Sequence, residues 1–216
     1  MKKFKFNDSD KELIRKAVEQ LEKESAGELV LYFARKSDGY SGASWKFAAI
    51  AGGLSSFLLI VLSYLWLLPP VLTPIAIGAT LLGIMIACFL ITLFDTRIRL
   101  SFIPNAIIQH RVLTKARDIF LQEEVFNTKD RIGILIYISE LEQQVVVLGD
   151  SGINQKIEQS DWKGVVNEVV TGIKENKVAS GIVNAVEKCK NLLLAHEFTV
   201  RADDKNELSD DIRIEK

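Results

Sequence analysis

The sequence predicts an α/β domain, a small mixed sheet with helices on its faces, interrupted by a two-helix transmembrane hairpin. Three observations carry this. Helical and strand patterns alternate along both ends of the chain. From Phe47 to Phe94, 48 consecutive residues contain no Asp, Glu, Lys or Arg. The 27 basic and 28 acidic residues are therefore crowded onto the rest of the 216-residue chain, which reads as ordinary charged soluble protein. The net charge of −1 argues against a strongly basic nucleic-acid binder. The expected organisation is a first domain part at 1–45, the hairpin at 46–95, a second domain part at 96–198, and an acidic, partly disordered tail at 199–216.

Asn7-Asp8-Ser9 offers helix N-caps, and Leu13, Ile14, Ala17, Val18 and Leu21 then recur at helical spacing. Ser25-Ala26-Gly27 ends that helix. Glu28 to Ala34 is short and nearly all apolar, the pattern of a buried strand. The uncharged stretch divides at Pro69-Pro70 into Phe47–Leu68 and Val71–Phe94. At ~1.5 Å per residue each half exceeds the roughly 30 Å of a hydrocarbon core. The connecting turn is uncharged, whereas Arg35, Lys36 and Lys46 precede the hairpin and Arg97, Arg99, Arg111, Lys115 and Arg117 follow it. The positive-inside rule places both flanks and both termini in the cytoplasm, with the protein integral to the inner membrane. The spans hold no ionisable side chain, which argues against an ion path through them.

Asp95 to about Phe126 is helical with a break at Pro104. Arg131–Ile138 is a strong strand pattern, Ser139–Glu142 a hairpin connection, and Gln143–Leu148 the returning strand. Helices are expected around Trp162–Glu175 and Ser180–Ala195. The tail from Thr199 holds six acidic and four basic residues and reads as exposed. A helical crossover between the first two strands makes them parallel, and the tight turn makes the third antiparallel to the second. Glu28, Arg131 and Asp150 then share one edge of the sheet.

At this point the sequence resembles the TPM domain family, membrane-anchored bacterial members in particular. The resemblance rests on Ser25-Ala-Gly-Glu28, Arg131-Ile-Gly-Ile-Leu-Ile136, Leu148-Gly-Asp-Ser-Gly-Ile153, Trp162, Gly181-Ile182 and Asn206-Glu-Leu-Ser-Asp-Asp-Ile212. It covers roughly 8–35 and 110–212, with the hairpin as an unmatched insertion. It implies a three-layer α/β/α sandwich. It also implies roles that range over weak phosphatase activity, calcium binding and the assembly or maintenance of membrane complexes. By match, Glu28, Arg131 and Asp150 are the positions carried over as binding candidates.

Three chemistries fit that edge. Glu28 and Asp150, with carbonyls of the Gly149–Gly152 turn, could ligate Ca²⁺ or Mg²⁺. Arg131 could instead pair with one or both carboxylates and tie the edge together. Catalysis would need metal-assisted water attack near Asp150. Gly149-Asp150-Ser151-Gly152 has the string of a serine protease nucleophile, but His110 and His196 are isolated and no triad can be assembled. No phosphate-binding glycine loop occurs. Cys88 and Cys189 are too far apart in the pattern to form a disulfide, and neither has zinc-ligand neighbours. No catalytic residue is assigned. The expected function is that of a membrane-anchored, non-enzymatic binding or accessory factor for a membrane complex. Its expected partners are the lipid bilayer and a membrane protein, not nucleic acid. The alternative is a divalent-metal-dependent phosphatase of low activity.

Overall fold

Helix α1 (Asp8–Glu24) starts where the caps say it should. Asn7 accepts the Asp10 N–H at 2.6 Å, and the Asp10 carboxylate accepts the Asn7 N–H at 3.1 Å, so two otherwise orphaned donors are satisfied reciprocally. A computed structural model describes residues 4–67, 73–94, 96–200 and 207–215. In it α1 is followed by β1 (Glu28–Ala34), α2 (Ser41–Tyr64), α3 (Pro74–Phe94), α4 (Thr96–Ser101), α5 (Asn105–Gln122), β2 (Gly133–Ser139), β3 (Gln144–Gly149), α6 (Ser151–Asn154), α7 (Lys163–Lys174), α8 (Val178–Ala195) and β4 (Arg213–Ile214). The chain divides into two compact units, Met1–Asp38 with Gln109–Lys216, and Gly39–Ile108.

The first unit is a mixed α/β fold around a four-stranded sheet of order β3-β2-β1-β4. β1 and β2 are parallel, from Glu28 opposite Gly133 to Ala34 opposite Ser139, and β2 and β3 are antiparallel. Both relations are those expected from the connections. One sheet face carries Leu29, Leu31 and Phe33 beside Ile134, Ile136 and Ile138 and Val147, in register. These side chains pack with Ile14, Val18 and Leu21 of α1, Val165 and Val169 of α7, and Ile182, Val186 and Leu193 of α8. α7 and α8 cross at Gly172 and Gly181. A Cβ on Gly172 would lie 2.7 Å from the Gly181 Cα, so only glycine allows this approach. α5 buries Val112, Ala116 and Ile119, the stripe its periodicity predicts.

Two differences from expectation are physical. Arg131 does not begin β2. It sits at φ 59°, in the left-handed region, and its N–H closes a turn onto Thr128. The tail also adds a strand: Arg213–Ile214 pair in parallel with Tyr32–Phe33. Two residues with one isoleucine leave no period for sequence reading to detect.

The second unit contains two helices long and apolar enough to cross a membrane, α2 and α3. Gly52 lets the Met85 side chain approach, and the Trp45 and Phe89 rings meet at 4.7 Å. The Arg99 guanidinium donates to the carbonyls of Thr92 (2.9 Å) and Gly39 (2.6 Å), linking the end of α3 to the approach to α2. The outward faces are apolar and exposed, including Leu54, Phe57, Leu58 and Ile60 on α2 and Ile75, Leu82 and Ile86 on α3. Pro74 opens α3, as its fixed φ favours. The Pro69-Pro70 break falls outside the described residues.

Candidate functional site

The edge at the start of β1 and β2 holds all three expected residues, but in two clusters. Asp150 leaves β3 and N-caps α6, accepting the Ser151 N–H at 2.6 Å. Arg131 meets the same carboxylate twice: Nη2 donates to Oδ1 at 3.2 Å, and Nε lies 2.8 Å from Oδ2. Oδ2 is buried, and the contact to Nε is a charge contact without hydrogen-bond alignment. The guanidinium also lies over the Phe126 ring, 5.6 Å from its centroid.

The glycines around Asp150 make the knot close. The Gly152 N–H donates to the Arg131 carbonyl at 2.9 Å. A Cβ on Gly152 would stand 2.6 Å from the Asp130 carbonyl oxygen and 2.7 Å from that of Arg131. The Leu148–Ile153 string thus encodes a tight turn and a cap. Asp150→Ala is expected to remove both the cap and the ion pair and cost about 1–3 kcal/mol. Urea denaturation followed by circular dichroism measures it, and an unchanged midpoint contradicts it.

Glu28 lies two strands away from Asp150 in the sheet order, about 10 Å at normal strand spacing. It is buried and accepts the Leu208 N–H at 3.2 Å, so its environment is the returning C-terminal segment. Beside it is a residue that sequence reading missed. Glu22 accepts the Leu29 N–H at 3.2 Å. Burial pushes its carboxyl up to about 9, with the charge on Glu28 and contact with Asp210 adding to the effect. The signal was present: Glu22 follows Ile14 and Val18 at helical spacing and so faces the protein.

Other chemistry-bearing groups are structural. Cys189 is fully buried and its thiol is pushed up to about 12 by that burial, which suppresses the thiolate. At the opposite end of the sheet, the Ser37 N–H donates to Glu142 at 2.9 Å, the Ser139 hydroxyl donates to the same carboxylate, and the Ser37 hydroxyl lies 3.1 Å from that of Tyr137. This network ties the exit of β1 to the β2–β3 turn. Arg111 pairs with Asp38 at 3.3 Å. An apolar recess of about 320 Å³ lies between α5 and the end of β3, lined by Arg117, Phe120, Leu121, Leu148 and Gly149. Among the described residues, no group of three or more His, Cys, Asp and Glu side chains is placed to hold a metal ion.

Comparison with known proteins gives two likenesses. Residues 95–192 match the family model of the TPM domain, which contains Arg131 and Asp150 but not Glu28. The solution structure of the BA42 protein from the psychrophilic bacterium Bizionia argentinensis sp. nov. is similar, with a TM-score of 0.60 and 18% identity, over 100% of this chain and 99% of that one. At that identity the likeness shows the fold alone. No curated protein matches the chain.

Proposed function

We propose that this TPM-like chain is a membrane-anchored binding factor whose α/β unit engages a protein partner at the cytoplasmic face of the inner membrane, in or beside a membrane complex, without catalysing a reaction. In this reading the sheet is the middle of three layers, with α1, α7 and α8 on one face and α5 on the other.

The observation that carries the anchoring is the pairing of β1 with β2 across the insertion. Seven residue pairs in register join chain from before and after α2 and α3. Both halves of the sheet must fold in one aqueous compartment, and an even number of crossings satisfies that. The exposed apolar faces of α2 and α3 suit lipid, where no unpaired backbone group is tolerated and helices supply all their own bonds. Arg35 and Lys36 precede α2, Lys46 lies near its start, and Arg99, Arg111, Lys115 and Arg117 follow α3, which supports a cytoplasmic orientation.

The non-catalytic part rests on how the edge carboxylates are used. Asp150 caps a helix and pairs with Arg131, which leaves it poorly suited to activate water or gather a metal. The apolar recess beside Leu121 is the surface offered to a partner. A photo-crosslinking residue at position 121 of the full chain, in its native membrane, should give one discrete protein adduct that Phe120→Asp abolishes. No adduct at 121 contradicts the binding reading. Phosphate-ester turnover dependent on millimolar Mg²⁺ or Ca²⁺, and lost in Asp150→Asn, would establish the metal-dependent phosphatase instead.

A further inference from the structure

The two ends of the sheet differ in the charge they present. The end at which β1 and β2 begin carries Glu28, Asp130, Asp150 and Glu207 against Lys129 and Arg131. The end at which they finish presents basic side chains. Arg35 and Lys36 follow β1 directly and are exposed. The Arg35 carbonyl accepts the Leu141 N–H at 3.1 Å, which holds this pair against the β2–β3 turn. Lys5 joins them from the N-terminal segment. The Phe4 N–H donates to Glu140 of the same turn at 2.7 Å, and the Phe6 ring meets that of Phe33 edge-on at 5.0 Å. Residues 4–6 are thereby pinned beside the finish of β1, with Lys5 exposed between two anchored aromatic residues.

The carboxylates of this end are turned to partners within the protein. Glu140 accepts the Phe4 N–H, and Glu142 accepts the Ser37 N–H and the Ser139 hydroxyl. Asp38 pairs with Arg111, and Glu215 lies 3.7 Å from Lys115. At the start of α1, Asp8 pairs with Lys11 and Asp10 is bound in the capping box. Among the described residues, no carboxylate pairs with Lys5, Arg35 or Lys36. Three cations from two segments thus stand on one end of the unit without counter-charges in contact.

This is also the end by which the chain leaves the unit. Six residues, 35–40, join β1 to α2, and the returning α5 reaches the same place through the Arg111–Asp38 pair. A six-residue link extends at most about 20 Å.

We propose that the end of the α/β unit bearing Lys5, Arg35 and Lys36 is a docking face for the headgroups of anionic lipids. The proposal rests on the reading of α2 and α3 as membrane spans. With α2 in a bilayer, the short link keeps the basic end near the headgroups, so docking is an intramolecular event at high effective concentration. Each Lys or Arg at an anionic surface favours binding about fivefold. Solvated cations on an outer surface match a plane of many phosphates, whereas one free phosphate is held by converging donors. The seven residues of β1 separate the two ends by about 20 Å, more than twice the Debye length of about 8 Å at physiological salt. The basic end is therefore attracted without the acidic end being repelled.

The test is amine acylation of the full chain in lipid nanodiscs, with an uncharged reagent and mass spectrometry that resolves each lysine. Lys5 and Lys36 report docking. Lys23 is the reference, because it is 76% exposed in the last turn of α1, shortly before β1 begins. Exchanging phosphatidylcholine discs for discs with about one-third phosphatidylglycerol should slow acylation of Lys5 and Lys36 by about threefold or more while Lys23 keeps its rate. Salt at about 0.5 M should erase the difference. Arg35→Gln with Lys36→Gln should return Lys5 to its phosphatidylcholine rate in the mixed discs. Equal rates in the two lipids, protection that survives the double substitution or the salt, or the same protection from inorganic phosphate in phosphatidylcholine discs would overturn the proposal. With the chain retained in the discs, those results leave the spanning reading in place; a chain that elutes free of the discs removes both.

Discussion

Alanine at position 133 is expected to unfold the α/β unit. A Cβ on Gly133 would stand 1.8 Å from the Val125 carbonyl oxygen and 2.9 Å from its carbonyl carbon. Both are backbone atoms, so no rotamer change relieves the clash. Val125 is itself buried, with its N–H bonded to Phe120 at the end of α5. Gly133 in turn pairs with Glu28 at the head of the two central strands. Either β2 moves, breaking a register in which Ile134 to Ile138 are all fully buried, or α5 moves. The cost should exceed the about 1–3 kcal/mol of ordinary overpacking and rival the total stability of a domain, about 5–15 kcal/mol. Gly164→Ala is the control, since its new Cβ would meet only the Lys188 side chain at 3.8 Å. In urea titrations followed by circular dichroism, Gly133→Ala should show no cooperative native baseline. Gly164→Ala should match or slightly exceed the parent, because alanine favours the helix. Equal midpoints for the two would contradict the packing described.

Paired Leu58→Lys and Leu82→Lys substitutions are expected to abolish membrane integration. Both leucines are more than half exposed, one on each apolar helix. In water an exposed leucine-to-lysine change is nearly neutral. At the centre of a bilayer each lysine costs about 2.5–3.5 kcal/mol on insertion scales, so the pair opposes insertion by several kcal/mol. The two environments predict opposite outcomes. If α2 and α3 lie in lipid, the double variant should move from the alkali-resistant membrane pellet to aggregates or degradation, and Leu58→Phe with Leu82→Phe should stay in the pellet. A double lysine variant that is more soluble and equally well folded would show that these faces meet water.

The contrast between β2 and β4 shows what the chain discloses before folding. Arg131–Ile138 announces a strand because almost every position after Arg131 is apolar and every second one is a β-branched isoleucine, and burial of both faces demands such a run. The parallel pairing with β1 followed from the crossover between them. β4 carries no such pattern, because its two residues are held by partners more than 70 positions away, Glu123 and Phe33 among them. The same limit applies to the candidate edge. Topology placed Glu28, Arg131 and Asp150 at one end of the sheet, and they are there. It did not disclose that Glu28 turns to the returning C-terminal segment while Arg131 turns to Asp150. Side-chain partners depend on strand order, which has no local sequence period. Gly133 and Gly152 were legible as parts of strings, but their reason is steric: each receives a carbonyl oxygen where a methyl group would sit.

The most direct measurement of membrane threading is the sidedness of the two ends. Epitope tags at the N- and C-termini of the full chain, exposed to protease in sealed vesicles of known orientation, report it. Both tags should be cut from the cytoplasmic face and both protected from the other, because β1 and β2, which pair from either side of α2 and α3, must share one compartment. One tag cut from each face would contradict it.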